Sequence, residues 1–220
     1  MKIELHAHTK EASRCGHVHA ADVVTACKES GYDGIVITDH FSPALLDNCG
    51  CDEKKDIVDT YLKGYRTARE HGEKIGLKVF LGIELFCAPT SYNDYLVYGI
   101  DEEYLYNAPL LYRMTFDEAM KEIPENAVVY QAHPFRNSMT VTPPKKLFGI
   151  EVYNGNIRHD SRNEIAEKWA DMFGLHKISG SDYHQSCDKF CGGADFFDDI
   201  KNEKELAQAL RNDRYTLIKG

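Results

Sequence analysis

Histidines stand at positions 6 and 8, at the end of the short alternating run Ile3-Glu4-Leu5-His6-Ala7-His8. In an extended chain, side chains two residues apart point to the same side, so both imidazoles can face one point in space. That is the geometry of a metal-ligand pair. Four further apolar runs stop at the same residue types. Ile35-Val36-Ile37-Thr38 runs into Asp39-His40, and Val79-Phe80-Leu81-Gly82-Ile83 into Glu84. Val128-Val129-Tyr130 leads through Gln131-Ala132 to His133, and Lys177-Ile178-Ser179-Gly180-Ser181 to Asp182-Tyr183-His184. Imidazole and carboxylate ligands suit Zn²⁺, Mn²⁺ or Fe²⁺, and a carboxylate can bridge two ions. Glu84 is the best candidate for the bridge. Two or three ions held close together make a metal-bound hydroxide available at neutral pH and clamp phosphoryl oxygens during displacement. This is the chemistry of a phosphoesterase.

Residues like these must be delivered by strands whose ends converge. In a barrel of parallel strands all C-terminal ends share one face, and the pattern here alternates strand with helix. The second strand follows a helix over residues 20–30, which Gly31 stops. Residues 53–75 carry Ile57, Val58, Tyr61, Leu62, Tyr65 and Ala68 at helical spacing, which places a long amphipathic helix before the third strand. A short strand over 96–100 ends at Asp101. Thr115-Phe116-Asp117-Glu118 resembles an N-cap box opening a short helix. Residues 149–154 form a strand, 160–173 a helix with Trp169 against the barrel wall, 203–211 a last helix and 215–218 an edge strand. Segments 41–52 and 185–199 are read as loops over the site face. The expected fold is α/β, a distorted (β/α)7 barrel with a metal site at the C-terminal ends of the strands, in one domain over 1–220.

Composition narrows the function. With 220 residues, 43% of them hydrophobic and 28% charged, the chain can bury a sizeable core. A formal net charge of −9 argues against an extended nucleic-acid surface, since phosphate affinity rests on clustered Lys and Arg. No apolar run reaches membrane-spanning length and no basic-apolar leader is present, so the expectation is a cytoplasmic protein without a membrane partner. The 7 cysteines form no regular framework and suit a reducing compartment. Cys49-x-Cys51 and Cys187-x-x-x-Cys191 leave open a separate Cys₄ zinc site, with free thiols as the simpler reading.

His-x-His, Thr-Asp-His, Gly-x-Glu, Ala-His-Pro and Gly-Ser-Asp-x-His occur here in one order from His6 to His184, and this series resembles the ordered motifs of the PHP (polymerase and histidinol phosphatase) family. The resemblance implies a trinuclear metal site and phosphoester hydrolysis. Carried across motif by motif, His6, His8, Glu84 and Asp182 would hold one ion, Glu84 and His133 a second, and His40 and His184 the third. The family often has a further histidine soon after His-x-His; His17 is the nearest match and His19 its rival. At the fourth strand end the family's phosphatases carry a histidine where this chain offers Asp101, readable as a ligand or as a helix cap. Asp39 is read as a partner that fixes an imidazole tautomer.

The resulting expectation is a hydrolase of a small phosphomonoester, histidinol-phosphate-like or nucleotide-like, using two to three divalent ions of Zn, Mn or Fe. A metal-bridging hydroxide would attack phosphorus and Asp182 would take the nucleophile's proton. Arg136, three residues after His133, could bind a substrate phosphate bidentately or form a surface ion pair. Two alternatives come from other classes: an amidohydrolase-like C–N bond hydrolase, and a non-catalytic metal-binding regulatory module. His71, His159 and His176 follow no ligand-type strand end and are read as surface residues.

Overall fold

The structure, a computed structural model, describes residues 1–50, 52–87 and 92–220. In chain order its elements begin with β1 (Lys2–Ala7), α1 (Ala20–Glu29), β2 (Gly34–Ile37), the two-residue β3 (His40–Phe41), α2 (Ala44–Cys49), α3 (Lys54–Ile75) and β4 (Lys78–Phe86). They continue with β5 (Asp94–Tyr98), α4 (Glu102–Asn107), α5 (Phe116–Glu122), β6 (Val128–Gln131), β7 (Gly149–Asn154) and α6 (Asn163–Phe173). The last are β8 (His176–Gly180), β9 (Ala194–Phe196), α7 (Glu203–Arg211) and β10 (Tyr215–Leu217).

The strands run β10-β9-β1-β2-β4-β5-β6-β7-β8 across one sheet, with β3 paired to β4. The sheet curls until its last strand meets β1. Ala7 forms a parallel bridge with Tyr183, just beyond β8, and the His8 amide donates to the Tyr183 carbonyl at 2.9 Å. Strands β1, β2 and β4 to β8 thus form a nearly closed barrel, as the strand and helix alternation predicts. β9 and β10 extend antiparallel from the first residues of β1.

Alternation along the strands divides the core. Ile35, Ile37, Leu81, Ile83, Leu85, Tyr95 and Val97 pack with Val23 and Val24 of α1 and with Ile57, Val58, Tyr61, Leu62, Tyr65 and Ala68 of α3. The expected apolar stripe of α3 is therefore its buried face, and Gly76, at φ +69°, ends the helix in the left-handed conformation. The intervening residues Val36, Phe80, Leu96, Tyr98, Val128 and Tyr130 form a second cluster with Leu5 and Ile178. Trp169 is half-buried over Ile150 and Val152, edge-on to Phe135.

Three sequence expectations change. The segment 41–52 contains α2, and 185–199 contains β9. More consequentially, β5 is antiparallel to both β4 and β6. Only residues 87–93 separate β4 from β5, too few for the crossover of a dozen or more residues that a parallel return needs. The strand reverses, and its first residue rather than its last lies at the site face. Among the described residues no helix is long and apolar enough to cross a membrane.

Candidate metal centre

The strand ends bring His6, His8, Glu84, His133, Asp182, His40 and His184 together. Ligand-type atoms lie within 4.8 Å of one another in four groups: His6, His8 and Asp182; His6, Glu84 and His133; His8, His40 and His184; and His40, Glu84 and Asp94. Glu84, in β4, is central. Its Oε1 lies 3.0 Å from His133 Nε2 and 3.3 Å from His6 Nε2, and its Oε2 lies 2.8 Å from His40 Nδ1 and 3.3 Å from His8 Nε2. Asp182 Oδ1 approaches His6 and His8 Nε2 at 3.4 Å each.

Local structure fixes these positions. Gly180 lets β8 pass against β1, since a Cβ there would meet His6 Cβ at 2.3 Å. His133 and Asp182 have positive φ, +29° and +51°, the kind of backbone strain that surrounding structure sustains at functional sites. The imidazoles are oriented from behind. His6 Nδ1 lies 2.9 Å from Glu151 Oε1, and His184 Nδ1 lies 2.8 Å from the Asp182 carbonyl. Ser13 Oγ donates to Asp39 at 2.6 Å, so it can only accept from His8 Nδ1, 3.3 Å away. With an ion bound, each of these three rings would keep its proton on Nδ1 and turn Nε2 inward, the arrangement typical of metal-binding histidines. Asp39 thus sets a tautomer, as expected, acting through Ser13.

The electrostatics form one balanced network. Burial pushes the Glu84 and Asp182 carboxyls up, but His40 and His6 around Glu84, and His6, His8, His184 and Arg136 around Asp182, hold both well below the usual range. Burial would lower His6, yet the charges of Asp182, Glu151 and Glu84 raise it well above its ordinary value. His40 is raised against burial by Glu84 first. His8 goes the other way: burial and the neighbouring His184 and His40 keep it neutral. Burial lifts Asp94 to about 6.

A divalent ion fits this donor set. Nε2 of His6 and of His8, Nδ1 of His133 and Oε2 of Glu84 are buried without a well-formed hydrogen bond. Each such atom costs about 1–3 kcal/mol. Three of them, on His6, His8 and Glu84, face one another and are what Zn²⁺, Mn²⁺ or Fe²⁺ would satisfy.

Two sequence-derived ligands fall elsewhere. Asp101, at the far end of the reversed β5, caps α4, accepting from the Tyr104 amide at 2.9 Å; Asp94, the first residue of β5, takes the place at the site. His17 is exposed at the rim and belongs to none of the four groups, and its rival His19 pairs with Glu11 at 3.1 Å. Cys15, exposed as His17 is, lines the same cavity. Burial raises its thiol, but hydrogen bonds with His184 and His40 outweigh that and bring it to about 6. Arg136 lines the cavity and is already paired, 2.7 Å from Asp182 Oδ2 and 3.0 Å from Asn154 Oδ1. His159, read as surface, lines the mouth beside Arg158 and Asn156. Glu151 was not singled out in the sequence. It holds His6, and its Oε2 accepts from the His133 amide at 2.9 Å; a lone carboxylate between Ile150 and Val152 inside a strand is the signal for it. Of the proposed Cys₄ site, Cys51 lies outside the described residues, and the described cysteines gather into no four-thiol cluster. The cavity over the cluster measures about 270 Å³.

The PHP domain model matches residues 4–211, and the chain belongs to this family. Solved structures share its fold. A two-domain protein containing a predicted PHP-like metal-dependent phosphoesterase from Bacteroides vulgatus superposes with a TM-score of 0.70 at 19% identity, covering 100% of this chain. The present chain spans 64% of that protein's length. A protein described as a metal-dependent phosphoesterase from Bifidobacterium adolescentis gives 0.56 at 14% identity, covering 95% of this chain and 96% of its own. An amidohydrolase from Chromobacterium violaceum, solved with sulfate and no metal, gives 0.62 at 15%, covering 100% and 98%. No curated protein matches the chain by sequence.

Proposed function

We propose that this protein is a metal-dependent phosphoesterase acting on a small phosphomonoester. The observation that carries the reading is the buried cluster of inward-facing, unpartnered imidazole nitrogens around Glu84, at the floor of a small cavity edged by arginines. His6, His8, Glu84 and Asp182 would hold one ion, Glu84 and His133 a second, and His40 and His184 a third, with Asp94 able to join Glu84 and His40. Bound divalent ions supply Lewis acidity toward phosphoryl oxygens and make water acidic enough to attack near neutral pH.

The protein's own groups do the rest. Asp182 Oδ1 faces the cluster and is positioned to take a proton from the attacking water, while Arg136 and Asn154 fix Oδ2 from the opposite side. Arg158 and His159, at the mouth, are placed to bind a phosphate or its substituent. Protonation of the leaving oxygen falls to His40 or His184. About 270 Å³ admits a phosphoryl group with a small alcohol. The likeness to an amidohydrolase is one of fold, and among the described residues no lysine lines the cavity to bridge two ions.

The test is elemental analysis of protein purified without added metal, paired with phosphate release from a panel of phosphomonoesters before and after chelation. Two to three equivalents of Zn, Mn or Fe with chelator-sensitive turnover are expected. Bound metal with no phosphate release from any ester, and amide hydrolysis instead, would overturn the reading.

A further inference from the structure

Glu151, in the middle of β7, is buried at 1% exposure, and three groups face its carboxylate. Oε1 lies 2.9 Å from His6 Nδ1. Oε2 accepts from the His133 backbone amide at 2.9 Å and from Asn154 Nδ2 at 2.9 Å. His133 has its φ at +29°, so the first of these bonds holds a strained turn in place. Asn154 carries the tie onward, since its Nδ2 also donates to Asp182 Oδ2 at 3.2 Å. One carboxylate thus joins His6, His133 and Asp182, which come from β1, the turn after β6 and the turn after β8. The packing behind it is close: a Cβ at Gly180 would meet Oε1 at 2.7 Å.

The partners of Oε2 cannot exchange roles. A backbone N–H only donates. The Asn154 amide is fixed from its other end, where Oδ1 accepts from Arg136 Nη2 at 3.0 Å and from the Asn156 amide at 3.1 Å, which leaves its NH₂ for the carboxylates. The ring of His6 is the one partner that can change. Its Nδ1 donates or accepts according to the tautomer, and Oε1, an acceptor only, selects the form with the proton on Nδ1. In a ring carrying one proton, Nε2 is then bare on the side where Glu84 Oε1 and Asp182 Oδ1 stand 3.3 and 3.4 Å away.

We propose that Glu151 is the positioning residue that makes His6 a metal ligand. Accepting on both oxygens, it holds the His6 proton on Nδ1 while it pins the turn of His133, so that Nε2 of both rings reaches Glu84 Oε1, at 3.3 and 3.0 Å. The inference rests on the reading of this cluster as a metal centre and requires no particular substrate. Glu151→Gln keeps the shape of the side chain but has one acceptor and one donor. His133 and Asn154 claim its oxygen, so its NH₂ faces His6 Nδ1, which must then accept. The ring proton moves to Nε2 and closes the nitrogen a cation needs. That proton still finds Glu84 and Asp182 as acceptors, so the metal-free protein loses none of the bonds around His6.

The experiment compares the full-length wild type and Glu151→Gln, each with ¹⁵N-labelled histidine, in chelator and after zinc loading. Nitrogen–proton correlation spectra report which ring nitrogen carries a proton. In the zinc-loaded wild type, His6 should show a protonated Nδ1 and a zinc-bound Nε2. In chelated Glu151→Gln, Nδ1 should be bare and Nε2 protonated. Competition with a chromophoric chelator should show one zinc equivalent weakened about 10–100-fold in the variant, with the position of His40 and His184 unchanged. A residue that only packed the barrel would leave the tautomer alone and weaken every position alike. Wild-type zinc affinity at all positions of Glu151→Gln would overturn the role. So would a zinc-loaded wild type in which His6 binds through Nδ1, a result that needs no variant to fold. No zinc bound by the wild type would overturn the metal reading itself. Zinc bound with these signatures but without phosphate release would uphold the role of Glu151 and count against the phosphoesterase alone.

Discussion

Replacing Glu84 with glutamine removes one charge from the middle of the site while keeping the side chain's shape. The carboxylate touches His133, His6, His40 and His8 at 3.0, 3.3, 2.8 and 3.3 Å, so it belongs to two of the positions where an ion would sit. An amide offers one oxygen and no charge, and its NH₂ repels a cation. Removing a residue that only orients a metal ligand costs about 10–100-fold in affinity. Loss of a charged, shared ligand should reach or pass the upper end for each ion it holds, about 100-fold or about 2.7 kcal/mol. Elemental analysis should show the loss of at least one equivalent, and phosphate release should fall to about 1% or less. The metal-free protein offers a separate measure. Glu84 is among the charges that raise His6 and His40, and stability from a raised histidine is fully present below its unfolded pKa, about 6.5. It is lost as pH rises through the folded value. The melting-temperature deficit of chelated Glu84→Gln should therefore be larger at pH 6 than at pH 9. A variant that kept full metal content and turnover would refute the bridging role, and a deficit growing with pH would refute the electrostatic account.

The chelated wild type should itself melt at a lower temperature at pH 8 than at pH 6. His6, His40 and His184 are raised and lose their contribution as pH climbs, and burial lifts Glu4 to about 7, so stability also falls as pH rises toward that value; the lowered His8, His159 and Cys15 oppose them. Scanning calorimetry in chelator across this range checks the sign, and a midpoint that rises with pH would contradict it. Asp101→Ala should cost about 1 kcal/mol, the value of a helix cap, with metal content unchanged, whereas Asp94→Ala should lower the metal content; elemental analysis of the two variants settles which end of β5 serves the site. Gly64→Ala should destabilise by about 1–3 kcal/mol, because the new methyl would lie 2.1 Å from Thr9 Oγ1 and 2.6 Å from Asp39 Oδ2. A urea midpoint equal to or above that of the wild type would show that the loop bearing Thr9 is not held against α3.

The convergence of these side chains was readable in the sequence because strand periodicity and residue type coincide at His6, His8, Glu84, His133 and Asp182, each at or just past a strand end that faces the same way. Asp101 failed because type and position were right and direction was not. The clue was the seven-residue spacing between Phe86 and Asp94, which permits a hairpin and forbids a crossover. The loop after β1 was hard to read for a different reason. A loop's course depends on contacts distant in sequence, here Asp39 to Thr9 and His184 to His17, and no local period reports where His17 and His19 fall. Glu151 and Ser13 act one contact behind the ligands, where neither spacing nor motif marks them.

The buried charges also explain how such a centre can exist inside a folded barrel. Glu84, Glu151 and Asp182 stand around His6, with all four side chains at most 2% exposed. A cluster of that composition cannot remain fully ionised and unpaired without a large desolvation cost. Without metal, protons on His6 and His40 supply the compensating charge, while His8, pressed by His184 and His40, stays neutral and keeps a nitrogen free. A divalent ion brings more positive charge than the proton it replaces and uses the Nε2 atoms that protons leave without partners. Metal binding would therefore release protons and tighten as pH rises, in the same range where the metal-free fold is expected to weaken. The two opposed slopes have one origin: carboxylates of β4, β7 and the turn after β8 aimed at the histidines that close β1.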